Sequence, residues 1–96
     1  MSIARVALGT VELHLPGVDS LKGKRQVLRS LKDKLRNRFE VAVAEVDHHD
    51  IWQRATLAVA YVSNDARHAD SVVAKAMDFI ETHVDGEVLD TSLEIL

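Results

Sequence analysis

Residues 54–95 read RATLAVAYVSNDARHADSVVAKAMDFIETHVDGEVLDTSLEI, and this stretch decides the fold. It opens on Ala55-Thr56-Leu57-Ala58-Val59-Ala60-Tyr61-Val62, in which neither alternate set of side chains is polar. Such a run suits a strand covered on both sides. Ser63-Asn64-Asp65 then supplies helix-capping side chains. Apolar residues follow at Ala69, Val72, Val73, Ala76, Met77, Ile80 and Val84, the spacing of one helix face. Asp85-Gly86 turns the chain. Residues 87–95 then alternate, with Leu89, Thr91, Leu93 and Ile95 on one side and Val88, Asp90, Ser92 and Glu94 on the other.

The preceding half has the same order. Residues 4–15 are β-prone through Val6, Leu8, Val11, Leu13 and Leu15. Pro16-Gly17 ends that strand, because proline gives no ladder donor and glycine admits a turn. Ser20 is a natural N-cap. The helix after it is expected to bury Leu21, Lys24, Leu28, Leu31 and Leu35, and to close over Asn37 to Glu40. Residues 41–47 and 54–62 read as strands joined through Asp47-His48-His49-Asp50 and its neighbours. The order β-α-β-β-α-β, with right-handed crossovers, gives an α+β ferredoxin-like sandwich. Four antiparallel strands form the sheet, two helices cover one face, and the other face stays open. Residues 1–96 are expected to make a single domain, since 96 residues leave no room for a second core.

Composition narrows the function classes. The chain is 47% apolar and 28% charged, and no apolar run approaches the ~20 residues that span a bilayer. One early Arg5 without a long apolar stretch and cleavage site argues against a signal peptide, so a cytoplasmic location is expected. There is no cysteine, which excludes disulfides, thiolate metal sites and iron–sulfur clusters.

The charges are segregated. Eight of the twelve basic residues and one of the fifteen acids, Asp33, fall within Lys22 to Arg38. That segment carries +7 and the remainder −10, for the total of −3. At ~100° per residue, Lys22, Arg25, Arg29, Lys32 and Arg36 form a stripe beside the buried seam. At ~1.5 Å per residue the stripe is about 21 Å long, enough to follow several phosphates of one strand. Lys24 is expected to lay its stem along the seam and lift its ammonium into solvent.

The run Asp19-Ser20-Leu21-Lys22-Gly23-Lys24-Arg25, continuing through Val27-Leu28 and Leu31, resembles the DUF503 or YlxP-like proteins, a small bacterial family of unassigned function. So do Ala44-Glu45-Val46-Asp47-His48, Trp52-Gln53-Arg54-Ala55-Thr56-Leu57 and Val62-Ser63-Asn64-Asp65. The resemblance covers nearly the whole chain. It implies the ferredoxin-like fold read above and a loose association with translation or ribosome maturation, because family genes often sit near genes for such factors. It implies no activity. Gly23 departs from the family, which usually has Glu there; after Ser20, Glu would complete a capping box. Gly at this place weakens the first turn by up to ~1 kcal/mol, so fraying is expected.

Asp47, His48, His49 and Asp50 are candidate metal ligands by residue type. Their letters resemble those of the DHH phosphoesterases, which carry several further acidic motifs on a much longer chain. Glu45 and Asp47 alternate onto one strand face and offer a carboxylate pair. A polar turn with a structural role for Asp47 is the expectation. Trp52 is either an exposed anchor or a lid folded back on the core, and the lid is expected. Arg54 is expected to pair with Glu45 or Asp47 across the strands. An RNA-recognition motif needs aromatics on its central strands, and only Tyr61 is present. An acylphosphatase loop, rich in glycine and bearing arginine, is not what Pro16-Gly17-Val18-Asp19 offers.

The reading is a non-enzymatic, cofactor-free module that binds RNA or a ribosomal particle through the stripe. The alternative is a homodimeric protein-interaction or small-ligand domain that uses the open sheet face.

Overall fold

The elements follow one another as β1 (Arg5–His14), α1 (Leu21–Phe39), β2 (Ala42–Asp47), β3 (Arg54–Ser63), α2 (Ala66–His83) and β4 (Glu87–Ile95). They are taken from a computed structural model that describes residues 3–96, so the first two residues of the single-domain reading lie outside it. The sheet order is β2-β3-β1-β4, antiparallel throughout. The two helices pack on one face, and the arrangement is the ferredoxin-like sandwich that the sequence predicts.

Caps set the helix ends. The Ser20 side chain accepts from the Gly23 amide at 2.9 Å. The Asp65 carboxylate accepts from the amides of Arg67 and His68 and starts α2. Each cap satisfies donors that a helix start leaves without a partner. At the other end of α1, Glu40 turns left-handed with φ 54° and its amide donates to Arg36 O.

The core lies between sheet and helices. Val11, Leu13, Leu15, Leu28, Leu31, Leu35, Leu57, Val59 and Ile80 are buried there. At Gly9 two side chains of α2 lie against the β1 backbone. A Cβ built there would lie 2.6 Å from Met77 Sδ and 2.7 Å from Val73 Cγ1. α2 rests directly on the β1 backbone, which only glycine permits.

Three expectations need correction. Leu21 is only half-buried at the edge of the seam. The alternation of β4 slips by one residue: Glu12 pairs with Asp90 but Leu13 pairs with Val88, leaving Leu89 as a bulge residue. Val88 therefore joins Thr91, Leu93 and Ile95 on the helix side, and Leu89, expected there, is 47% exposed. A second register shift lies between Glu45 and Asp47 in β2, with Val46 at the bulge. It separates the two carboxylates that simple alternation would put together.

The face away from the helices is uncovered and built of small side chains. Ala44, Ala58, Thr10 and Ser92 make one cross-sheet row, and Ala42, Ala60, Leu8 and Glu94 the next.

Gly9→Val should destabilise the fold by about 1–3 kcal/mol through overpacking against Val73 and Met77. Urea denaturation followed by far-ultraviolet circular dichroism measures this. An unchanged midpoint would mean that α2 can lift off β1 without loss.

Candidate nucleic-acid interface

Lys24 organises this end of the molecule. It is 1% exposed, and its ammonium is fully enclosed rather than lifted into solvent. Lys24 Nζ donates to the carbonyls of His48 (2.6 Å), Ile51 (2.8 Å), Arg54 (3.0 Å) and His49 (3.2 Å). It also lies 2.8 Å from Glu45 Oε2, whose side chain is 15% exposed. Five oxygens share three N–H groups, so the cation is held by a cage rather than by one partner. The expectation of a solvated head fails for a definite reason. The loop that follows β2 turns its carbonyls inward over the first turns of α1, and only a cation can satisfy so many acceptors together.

The β2–β3 loop is thereby fixed. His48 adopts φ 63°, a left-handed conformation that turns the chain. Leu15 N donates to Gln53 O at 2.8 Å, and the Gln53 amide reaches the carbonyls of Val18 (3.3 Å) and Pro16 (3.4 Å). The β1–α1 and β2–β3 loops are thus knitted together above Lys24. The same contacts hold the first turn of α1, where the Gly23 departure removes a capping box.

Three of the four candidate metal ligands, Asp47, His48 and His49, serve local bonds in this loop, and Asp50 is exposed. Asp47 Oδ1 accepts from the His48 amide at 2.7 Å. His48 Nδ1 meets Thr56 Oγ1 at 2.9 Å, and His49 Nε2 meets Glu45 O at 3.0 Å. Among the described residues, no three His, Asp or Glu side chains converge as a metal site would require. Glu45 and Asp47 form no carboxylate pair, since Glu45 turns to Lys24 while Asp47 stays exposed. Arg54 pairs with neither. It forms its ion pair with Glu12 on β1, a central-strand neighbour on the uncovered face. Trp52 is no lid: it is 52% exposed, beside Ile51 at 47%.

The basic stripe is where helical phase puts it. Lys22, Arg25, Arg29 and Arg36 are exposed and Lys32 is half-buried. Arg25, Arg29, Lys32 and Arg36 line a groove of about 290 Å³ against the edge strand β2, with Leu28 and Glu45 at its floor. Among the described residues, no carboxylate lies within ion-pairing distance of Lys22, Arg25, Arg29 or Lys32. Arg36 differs. Its Nη2 donates to Val43 O at 3.0 Å, and Nη1 lies 3.8 Å from Asp33. It is a strut between helix and sheet edge, a role that spacing alone does not reveal.

The sheet order sharpens the polarity. α1 lies along β2, whereas α2 packs on β1, β3 and β4. From Asp78 onward the chain has six acids and no lysine or arginine. Asp78 and Glu81 lie on α2 beside the β4 edge. One edge of the molecule is cationic and the opposite edge anionic, a field that orients a polyanion toward α1.

Residues 6–93 match the family described as "Protein of unknown function (DUF503)", and the chain belongs to it. It is 32% identical over 63 residues to "Uncharacterized protein YlxP" of Bacillus subtilis (strain 168), covering 66% of this chain and 68% of that protein. Among solved structures it is similar to the de novo designed protein Ferredog-Diesel. The TM-score is 0.50 and the identity 10%, over 93% of this chain and 83% of the other. That likeness concerns the fold alone. No helix among the described residues is long and apolar enough to cross a membrane.

Lys24→Met keeps the apolar stem and removes the charge, so Glu45 and four carbonyls lose their common partner. A loss of about 3–5 kcal/mol is expected. It should persist in high salt, because a buried pair is little screened. Urea titrations at two ionic strengths measure it, and a loss below about 1 kcal/mol would deny the cage a stabilising role. Adding Glu45→Gln to this variant should recover part of the loss, since it removes the stranded carboxylate.

Proposed function

We propose that this member of the DUF503 family is a non-enzymatic module that binds RNA or a ribosomal particle through α1, acting in the cytoplasm in ribosome maturation or translation. The observation that carries the reading is the set of four cations on α1, Lys22, Arg25, Arg29 and Lys32, to which no carboxylate among the described residues is paired. Charges without protein partners along a groove suit a partner that brings regularly spaced anions. The acidic opposite edge supports it by disfavouring any other approach. Arg36 contributes less, because its guanidinium already serves Val43. Phosphate contacts position a nucleic acid without reading its bases, so sequence preference is slight.

A second reading has its own support. The uncovered sheet face carries Ala42, Ala44, Ala58 and Ala60 beside Val6, Leu8 and Val62, and Val62 is 62% exposed. A flat face of small apolar side chains suits homodimerisation or a protein partner. Sedimentation velocity across a concentration series separates the readings. A tight dimer without affinity for polyanions favours the second.

For the first reading the measurement is fluorescence anisotropy with labelled ribosomal RNA fragments at several salt concentrations. Each neutralised phosphate contributes about −0.7 to the slope of log K against log salt for a single strand. Three to four contacts should give a slope of roughly −2 to −3. Arg25→Gln with Arg29→Gln should flatten it by about 1–2 and barely move stability, since both side chains lie outside the core. Parent and double variant binding alike would show the stripe to be a solvated face.

A further inference from the structure

We infer that Trp52 is a base-stacking platform at one end of the basic stripe, and that the RNA taken there is single-stranded. The inference rests on the reading of α1 as an RNA-binding surface and adds a feature that the stripe alone does not have.

Three observations meet at this point. First, Trp52 is 52% exposed. Second, the loop backbone is fixed. The residue before Trp52 gives its carbonyl to Lys24 Nζ at 2.8 Å, and the residue after it gives its carbonyl to Leu15 N at 2.8 Å. An aromatic ring on a braced backbone can receive a base without ordering the loop first, which is the cost that usually limits exposed aromatics. Third, the brace comes from the stripe's own helix. Lys24, on which the loop rests, belongs to the first turns of α1, and its sequence neighbours Lys22 and Arg25 are exposed.

The chemistry of the surroundings selects the ligand. Asp50 and Gln53 border the indole, with Ile51 beside it. The platform is therefore one ring and one aliphatic side chain within a polar rim, too small for a continuous apolar contact. Asp50 disfavours a phosphate directly over the ring but not a neutral base. The cations that would hold phosphates are on α1. β1 ends at His14 opposite Arg54 and α1 begins after it, so the Trp52 loop lies at the end of the sheet where the stripe starts, and a strand running off that end of α1 meets the loop. In a duplex the bases are stacked inside and cannot reach it, whereas unpaired bases stack readily on aromatic faces.

Trp52 is the only tryptophan of the chain, so its emission reports on this position alone. The experiment titrates the intact protein with a short single-stranded RNA and with a duplex of the same length, reading tryptophan fluorescence and anisotropy of labelled RNA together. Single-stranded RNA should quench the emission and bind more tightly than duplex. Trp52→Ala should weaken single-strand binding roughly tenfold and leave duplex binding and the salt slope unchanged. Trp52→Phe should recover part of the loss. Binding without quenching, or equal weakening toward both RNAs, would overturn the stacking role while leaving the stripe intact. No binding of either RNA at low salt would remove the reading beneath it as well. Emission that shifts with protein concentration, and not with RNA, would assign the indole to a protein contact instead.

Discussion

A single enclosed ammonium sets the geometry of half the molecule. Lys24 draws four backbone carbonyls and one carboxylate onto α1. Without it the β2–β3 loop would have an inward ring of oxygens and nothing to satisfy them, and a buried acceptor without a partner is among the costlier defects a fold can carry. The position of β2 beside α1, the course of residues 48–53 and the exposure of Trp52 all follow from where that cation sits. The charge is part of the interior, and it must be counted apart from the seven other basic residues of the segment, which face outward or brace the surface.

Much of the architecture was legible because it depends on local pattern. The helical spacing of Ala69, Val73, Ala76 and Ile80, the cap at Ser20 and the capping cluster Ser63-Asn64-Asp65 place both helices, and within that cluster Asp65 is the N-cap of α2. What escaped depends on contacts distant in sequence. Lys24 and Ile51 are 27 residues apart, and no periodicity announces that a loop will fold its carbonyls over a helix. Arg54 was expected to pair with Glu45 or Asp47; its partner Glu12 lies on β1, on the other side of β3. Both sheet corrections arise from bulges. One extra residue reverses the faces of everything beyond it, so Leu89 and Asp47 lie where strict alternation does not place them. The apolar surface of Trp52 alone points to burial, but the loop backbone is held on both sides of it and keeps the ring exposed.

Charge segregation gains meaning only with topology. In sequence, the basic segment and the acidic C-terminal stretch are merely distant. The order β2-β3-β1-β4 sets them on opposite edges of one sheet. The chain's modest net charge then conceals a strong dipole, and the field at α1 is far from what −3 suggests. The helix that bears the cations is itself anchored from within by one of them, so the surface charges are displayed on a scaffold that their own mutual repulsion cannot easily unwind.

The bond from Arg36 to Val43 O has a consequence of a different kind. β2 is an outer strand, and an outer strand offers its spare carbonyls and amides to any copy of itself that drifts past. With alanines and valines in its sequence, it would be a willing template for strand-to-strand growth. Arg36 occupies one of those carbonyls, and the bulge at Val46 bends the strand out of register a few residues on. Together they shorten the straight run that β2 offers to another strand. The guanidinium at the end of the basic stripe thus also blunts an open sheet edge, by holding a carbonyl that a neighbouring strand would use.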